Sequence, residues 1–304
     1  MVTFAMLRRL TRYADRRTKT GLKQLACGCK TTRASSSDAS VWDWLGQFPG
    51  GSVDLHKDEA SGIATLALNQ PDKRNALTGH MMRDLATAVK DLDGWQHGKG
   101  VILHGAGDMF CAGGDFSMVK NILNPEAGGR MCAFMQDVTY RLHSLPLISV
   151  ALIQGSALGG GAELVTSCDF RLMTQKATIG FVQSTLDVST GWGGGSRLVQ
   201  LVGRTTALDL LATGRRVSAE EALKIGLVQR VIPEENALEE AKTWIKSHTR
   251  AAAVVVHAVK RTAVAGSSLS MGEALEEERK AFMSVWGGPA HTAAVLKATA
   301  PRKK

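Results

Sequence analysis

From Val53 onward the chain alternates between short runs of period two and longer runs of apolar residues at helical spacing. Asp54 to Lys57 and Gly62 to Leu68 predict a pair of strands joined as a hairpin, the second ending at Asn69-Gln70-Pro71. Thr78 is placed as an N-cap ahead of Met81, Met82, Leu85, Ala88, Val89 and Leu92, which predicts a helix to about Asp93. Val101 to Leu103 reads as a buried strand opening into the glycine-bearing loop Gly105 to Gly114, with a helix from about Phe116. Met131 to Ser144 is helical by periodicity and stops at Pro146. Leu147 to Leu152 is a second buried strand, entering Gln154 to Gly161, and Ala162 to Ser167 continues as a helix. Asp169 to Thr174 is a further strand, Ile179 to Thr190 a loop region before Gly191 to Gly195, and Ser218 to Glu221 a capping box for a helix ending at Gly226. Buried strands feeding glycine turns that open helices, with a helical C-terminal third, predict an α/β fold. No internal repeat is visible.

Charge changes that picture only at one end. Of the net +9, residues 1 to 37 contribute +8, from nine Lys or Arg and the single acid Asp15. The body is nearly neutral, which argues against nucleic acid as its partner. Residues 1–37 read either as a presequence of mitochondrial type, with Met6, Leu7, Leu10, Leu22 and Leu25 opposite Arg8, Arg9, Arg12 and Arg16, or as a solvated extension. After this tail a core is expected over residues 38–250 and a C-terminal helical region over 251–304. The five cysteines are scattered and odd in number, so reduced thiols are expected, with Cys111 and Cys168 in the core. Cys27-Gly28-Cys29 has no second ligand pair at zinc spacing, and no metal site is expected. The longest apolar stretches fall short of a membrane span.

Two segments share one construction, a buried strand, a glycine turn and a helix: Phe110-Cys-Ala-Gly-Gly-Asp115 and Leu158-Gly-Gly-Gly-Ala-Glu-Leu164. Glycines there leave backbone N–H groups uncovered, and a helix N-terminus adds partial positive charge. Neither loop has the G-x-G-x-x-G spacing of a dinucleotide site or the Gly-Lys-Ser/Thr ending of a P-loop. Gln154 stands where a nucleophile elbow around Ser156 needs glycine. What remains is an oxyanion hole made of one peptide N–H from each loop, where one donor is worth roughly 2.7 to 4 kcal/mol in the transition state.

Asn69-x-Pro71-x-x-x-Asn75-Ala76-Leu77, Phe110 to Asp115, Gly155-x-x-x-Gly-Gly-Gly-Ala-Glu163, Cys168-Asp169 and Thr213-Gly-Arg215-x-x-x-Ala219-x-Glu221 resemble, in order, the crotonase (enoyl-CoA hydratase/isomerase) superfamily. The resemblance implies a ClpP-like spiral of ββα units, C-terminal helices that assemble a homotrimer or a hexamer, and an acyl-CoA thioester as ligand. It places the oxyanion donors at Gly114 and Gly160 and the CoA phosphate contacts at Lys73 and Arg74, cations suited to that task, while Ala76, Ala112 and Trp192 are further expected substrate contacts. Coenzyme A arrives as part of the substrate and no separate cofactor is expected.

Hydratases of the superfamily use two glutamates twenty residues apart. Glu163 fits the first position, but the second is Gln183, which is neither acid nor base. Hydration is therefore disfavoured. Decarboxylation of a malonyl-type thioester asks less: departing CO2 leaves its electron pair behind, and an oxyanion hole stabilises the enolate. Phe48 to Ser52, Ser149 to Leu152, Gly159 to Leu164, Cys168 to Thr174 and Trp286 to Pro289 are similar to the ethylmalonyl-CoA decarboxylase branch of the superfamily. That branch implies action on ethylmalonyl-CoA and methylmalonyl-CoA, a metabolite-repair role, and a cytosolic location in tension with the tail. Glu163 reads as donor of the proton to the α-carbon or as a first-turn helix acid, Gln183 as a contact of the substrate carboxylate or a loop amide, and Trp192 as a pocket wall or packing. Asp115 reads as a helix cap. Enoyl-CoA hydratase or isomerase, and a non-catalytic acyl-CoA or RNA-binding relative, are the alternatives.

Overall fold

The computed structural model describes residues 39–300. The tail over residues 1–37, with Cys27 and Cys29, lies outside the described residues. In chain order the elements are α1 (Ala39–Leu45), β1 (Ser52–Asp58), β2 (Ile63–Asn69), α2 (Gly79–Asp93), β3 (Gly100–Gly105), α3 (Phe116–Val119), α4 (Pro125–Ser144), β4 (Ile148–Ile153), β5 (Ser156–Leu158) and α5 (Gly160–Val165). There follow β6 (Phe170–Thr174), β7 (Thr178–Gly180), α6 (Gly194–Thr213), β8 (Arg216–Ser218), α7 (Ala219–Lys224), β9 (Arg230–Ile232), α8 (Ala237–His248), α9 (Ala253–Ser268), α10 (Met271–Val285) and α11 (Pro289–Thr299). One sheet runs β1-β2-β3-β4-β6-β9, parallel except for the β1–β2 hairpin, and a smaller one runs β5-β7-β8.

The central strands read as unbroken apolar runs because both sheet faces are buried. Val101 and Leu103 of β3, Ala151 and Ile153 of β4 and Met173 of β6 pack into the main core with α2 and α4. Ile102, Val150, Leu152 and Leu172 point the other way, onto Ala241 and Ile245 of α8. The period-two alternation thus divides one set of strands between two cores. Thr78 caps α2 as expected, its Oγ1 accepting from the Met81 N–H. Cys111 and Cys168 are buried, their thiols pushed up to about 12 by loss of solvent, which makes them inert core residues.

Three expectations are corrected. The helix expected from Met131 begins at Pro125: Glu126 to Arg130 carries no apolar period, but the Asn124 cap, Pro125 at the first helical position and Glu126 in the first turn start the helix ahead of Gly128 and Gly129. The stretch expected as loop from Ile179 holds the end of β7 and a 3-10 turn over Val182–Leu186, and the glycines of 191–195 open the long helix α6, whose two segments meet at Gly203. At Ser218 only half of the capping box forms: Ser218 Oγ accepts from the Glu221 N–H, while the Glu221 carboxylate pairs with Arg215. The complete box belongs to α10, between Ser270 and Glu273.

Candidate active site

The turn 110–115 lies between two other backbone segments. On one side the Leu77 N–H donates to Gly113 O (2.7 Å), the Asp115 N–H to Leu77 O (2.9 Å) and the Ala112 N–H to Arg74 O (2.9 Å). On the other the Cys111 N–H donates to Ser156 O (3.1 Å) and the Leu158 N–H to Cys111 O (2.9 Å). The two glycine turns therefore abut: a Cβ on Gly113 would sit 3.2 Å from the Gly160 nitrogen. Each turn carries a positive-φ glycine immediately before the amide expected to donate, Gly113 at 103° and Gly159 at 53°. These conformations, open to glycine, turn the next amide out of the local pattern. Among the described residues the N–H groups of Gly114 and Gly160 donate to no protein acceptor, while Gly113 and Gly159 beside them are buried.

Trp192 joins the turns. Its indole lies against the Gly160 Cα so closely that no Cβ fits there, and the same ring edge passes 3.9 Å from where a Gly114 Cβ would stand. Its backbone is held at both ends. The carbonyl accepts from Thr139 Oγ1 (2.8 Å) and Arg197 Nη2 (2.9 Å), and the N–H donates to Glu163 Oε2 (2.8 Å). Glu163, 2% exposed, also accepts from the Gly194 N–H (2.9 Å), the Gly191 N–H (3.1 Å) and Gln183 Nε2 (2.9 Å). Burial raises its pKa above the ordinary carboxylate value, and these four donors pull the other way.

The enoyl-CoA hydratase/isomerase family profile matches residues 58–289. The chain belongs to that family. It is 46% identical over 265 residues to a protein of Xenopus laevis named ethylmalonyl-CoA decarboxylase, spanning 86% of this chain and 88% of that one. A human protein of the same name is 42% identical over 279 residues, 91% of each chain. Among solved structures an enoyl-CoA hydratase from Bacillus anthracis superposes with a TM-score of 0.75 at 29% identity, covering 82% of this chain and 96% of the other.

On this enoyl-CoA hydratase/isomerase fold the residues expected from sequence fall into three groups. Gly114, Gly160, Glu163, Gln183 and Trp192 converge at the two turns. Ala112 lies within the first turn and Ala76 on the backbone segment beside it, and Lys73 and Arg74 stand exposed at its rim, Lys73 3.5 Å from Asp115. Asp115 caps α3, accepting from the Ser117 and Met118 N–H groups. Gln183 is not free to meet a substrate through its whole amide. The carboxylate of Glu163 accepts only, so Nε2 is the atom that faces it, and Oε1 is left buried without a partner. Beside it opens a cavity of about 350 Å³ lined by Phe181, Gln183, Ser184, Val188, Thr190 and Leu211.

Sequence reasoning missed the residues that brace this arrangement. Arg197 donates to Thr166 Oγ1 (3.0 Å) and to the carbonyls of Glu163 (3.4 Å) and Trp192 (2.9 Å), and burial brings its pKa down to about 10. Cys132 and Gln136 of α4 both donate to Gly191 O. Asn75, fully buried, holds the first flanking segment: its Nδ2 donates to Ala106 O (2.9 Å) and Met109 O (2.6 Å), and its Oδ1 accepts from the Gln70 N–H (2.9 Å). Only Asn75 lay in a motif visible beforehand. No cluster of His, Cys, Asp or Glu able to hold a metal ion occurs among the described residues.

Proposed function

We propose that the protein decarboxylates ethylmalonyl-CoA to butyryl-CoA. The bond between the carboxylate carbon and the α-carbon breaks, CO2 leaves, and the electron pair enters a thioester enolate. Its oxygen is received by the N–H groups of Gly114 and Gly160, and water returns a proton to the α-carbon. The observation that carries this reading is the pair of unpartnered glycine amides beside a Glu163 whose oxygens are both engaged by donors. Such a site can stabilise an enolate oxygen but offers no second acid to add water across a double bond, since Gln183 occupies that place. The shared name of relatives 42% to 46% identical over most of the chain supports the same reaction.

Lys73 and Arg74 at the rim suit the phosphates of CoA, and methylmalonyl-CoA, with one methylene less, fits the same chemistry. We further propose that the reaction draws on no metal or cofactor, that the role is metabolite repair in the cytosol, and that the protein works as a homotrimer or hexamer. Exposed Met271, Phe282, Met283 and Trp286 on and just after α10 support assembly with further copies. The test is to incubate the purified protein with ethylmalonyl-CoA, methylmalonyl-CoA and crotonyl-CoA in turn and follow CO2 and hydrated product separately. CO2 from the first two is expected; hydration of the third without CO2 from the others would overturn the reading.

A further inference from the structure

We infer that Glu163 is a positioning residue: its carboxylate gathers the N–H groups of Gly191, Trp192 and Gly194 and so seats the Trp192 indole as the spacer between the two glycine turns, and it gives no proton to the substrate. This rests on the decarboxylase reading above for its kinetic test, though the geometry does not. Both oxygens of Glu163 already face two donors each, three of them fixed backbone amides. An acid O–H would have to point at one of those N–H groups, so protonation breaks part of the ring of donors before any proton can be delivered. The same packing leaves no approach: Gly194 lies directly on the Glu163 stem, where not even a Cβ could be added.

The other end of the device is the indole. It touches the Cα of Gly160 and reaches the Cα side of Gly114, so its seat fixes how the two amides stand relative to each other. Around the carboxylate, the charged and titratable groups that face it are Arg197 from α6, which bonds the Glu163 carbonyl and not its carboxylate, and Cys132 from α4, whose thiol is raised by burial and by the Glu163 charge. Gln183 from the 3-10 turn is neutral. An acid in that place would put a second negative charge against Glu163 and force the two to share a proton. A neutral amide instead leaves Glu163 as an acceptor.

The full-length protein is assayed with ethylmalonyl-CoA from about pH 5 to pH 9, wild type beside Glu163→Gln, Glu163→Asp, Trp192→Phe and Glu163→Gln/Trp192→Phe. A positioning carboxylate works when ionised. Any limb that Glu163→Gln removes must then lie on the acid side, with kcat falling as pH drops and Glu163 takes up a proton; a profile flat throughout agrees equally. A proton donor gives the opposite sign, kcat falling as pH rises, and that result overturns the inference. Glu163→Asp keeps an acid but withdraws it by one methylene, so it is expected to lose kcat by about tenfold or more with KM within about threefold, as an oxyanion-hole disturbance does. Wild-type turnover in Glu163→Asp with a dead Glu163→Gln would overturn it. The double variant should be no slower than the slower single one, because both act through one contact.

A second readout needs no turnover. In protein labelled with 5-fluorotryptophan, the Trp192 resonance is identified by its absence from Trp192→Phe, and Glu163→Gln is expected to move or broaden it. An unmoved resonance overturns the inference. Absence of CO2 from the wild type defeats the decarboxylase reading alone, and the fluorine signal then still decides on the Glu163–Trp192 contact.

Discussion

Two carboxylates close together in the chain, Glu163, buried, and Asp169, partly buried, are held in opposite ways. Glu163 is surrounded by neutral donors, three from the backbone of one glycine-rich loop and one from Gln183. Asp169 sits just before β6, where its Oδ2 accepts from the Ser149 N–H (2.8 Å) and Oγ (2.9 Å) and its Oδ1 pairs with Lys260 of α9, 4% exposed. The first arrangement uses charge to shape local backbone, and its loss releases a loop. The second uses charge to tie a distant helix to the central sheet, and its loss strands an ion. Glu163 therefore belongs to the loop beside the two glycine turns and Asp169 to the attachment of the C-terminal helices.

The largest expected effect breaks the second arrangement. Lys260→Met leaves Asp169 without its cation beneath α9, and removing one partner of a buried pair costs about 3 kcal/mol, at the low end of the usual range because Asp169 keeps some solvent contact. Denaturant unfolding of the full chain measures it. Lys260→Met/Asp169→Asn should recover part of the loss, since the stranded charge is then gone. Unchanged stability in Lys260→Met would mean that α9 is held by its apolar contacts alone.

Next comes the site itself. A Cβ on Gly160 collides with the Trp192 ring, so Gly160→Ala must push the indole off its seat or move the turn. Turnover of ethylmalonyl-CoA should fall by about 100-fold, the size of effect seen when one oxyanion donor is lost, with global stability changed far less. Stability falling in step with turnover would place Gly160 with the attachment region and blur the contrast.

The legibility of the two regions differs for the same reason. The glycine turns could be read in advance because their chemistry is carried by the backbone, and a strand, two or three glycines and a helix suffice to expose an N–H. Gly114 and Gly160 follow from that pattern and the family motif together, although the substrate they would hold does not. The strands β3, β4 and β6 were equally plain, being short apolar runs between turn signals. What stayed hidden were residues whose roles depend on partners far away in sequence. Lys260 sits in a helix made largely of alanines and valines with no acid near it in sequence, Arg197 in a segment whose glycines concealed a helix, and Cys132 in a helix whose start carried no period. Even Glu163 was legible as a position and not as a role, because its donors at Gly191, Trp192 and Gly194 come from a loop that no local pattern assigns to it.

The smallest expected effect sharpens the comparison within the site. Gly114 and Gly160, the proposed pair of donors, are unequal in surroundings: a Cβ on Gly114 would meet Val119 at 3.6 Å and Trp192 at 3.9 Å, ordinary contacts, where one on Gly160 has no room. Gly114 also lacks the positive φ of Gly113 before it, so alanine adopts its backbone without strain. The Gly114 N–H remains in place after substitution. Gly114→Ala should then keep kcat within about threefold of wild type while Gly160→Ala loses most of it, because only the latter displaces the spacer. Equal losses in both variants would show that the turns tolerate no added carbon for reasons other than the indole, and would separate the two glycine amides from Trp192.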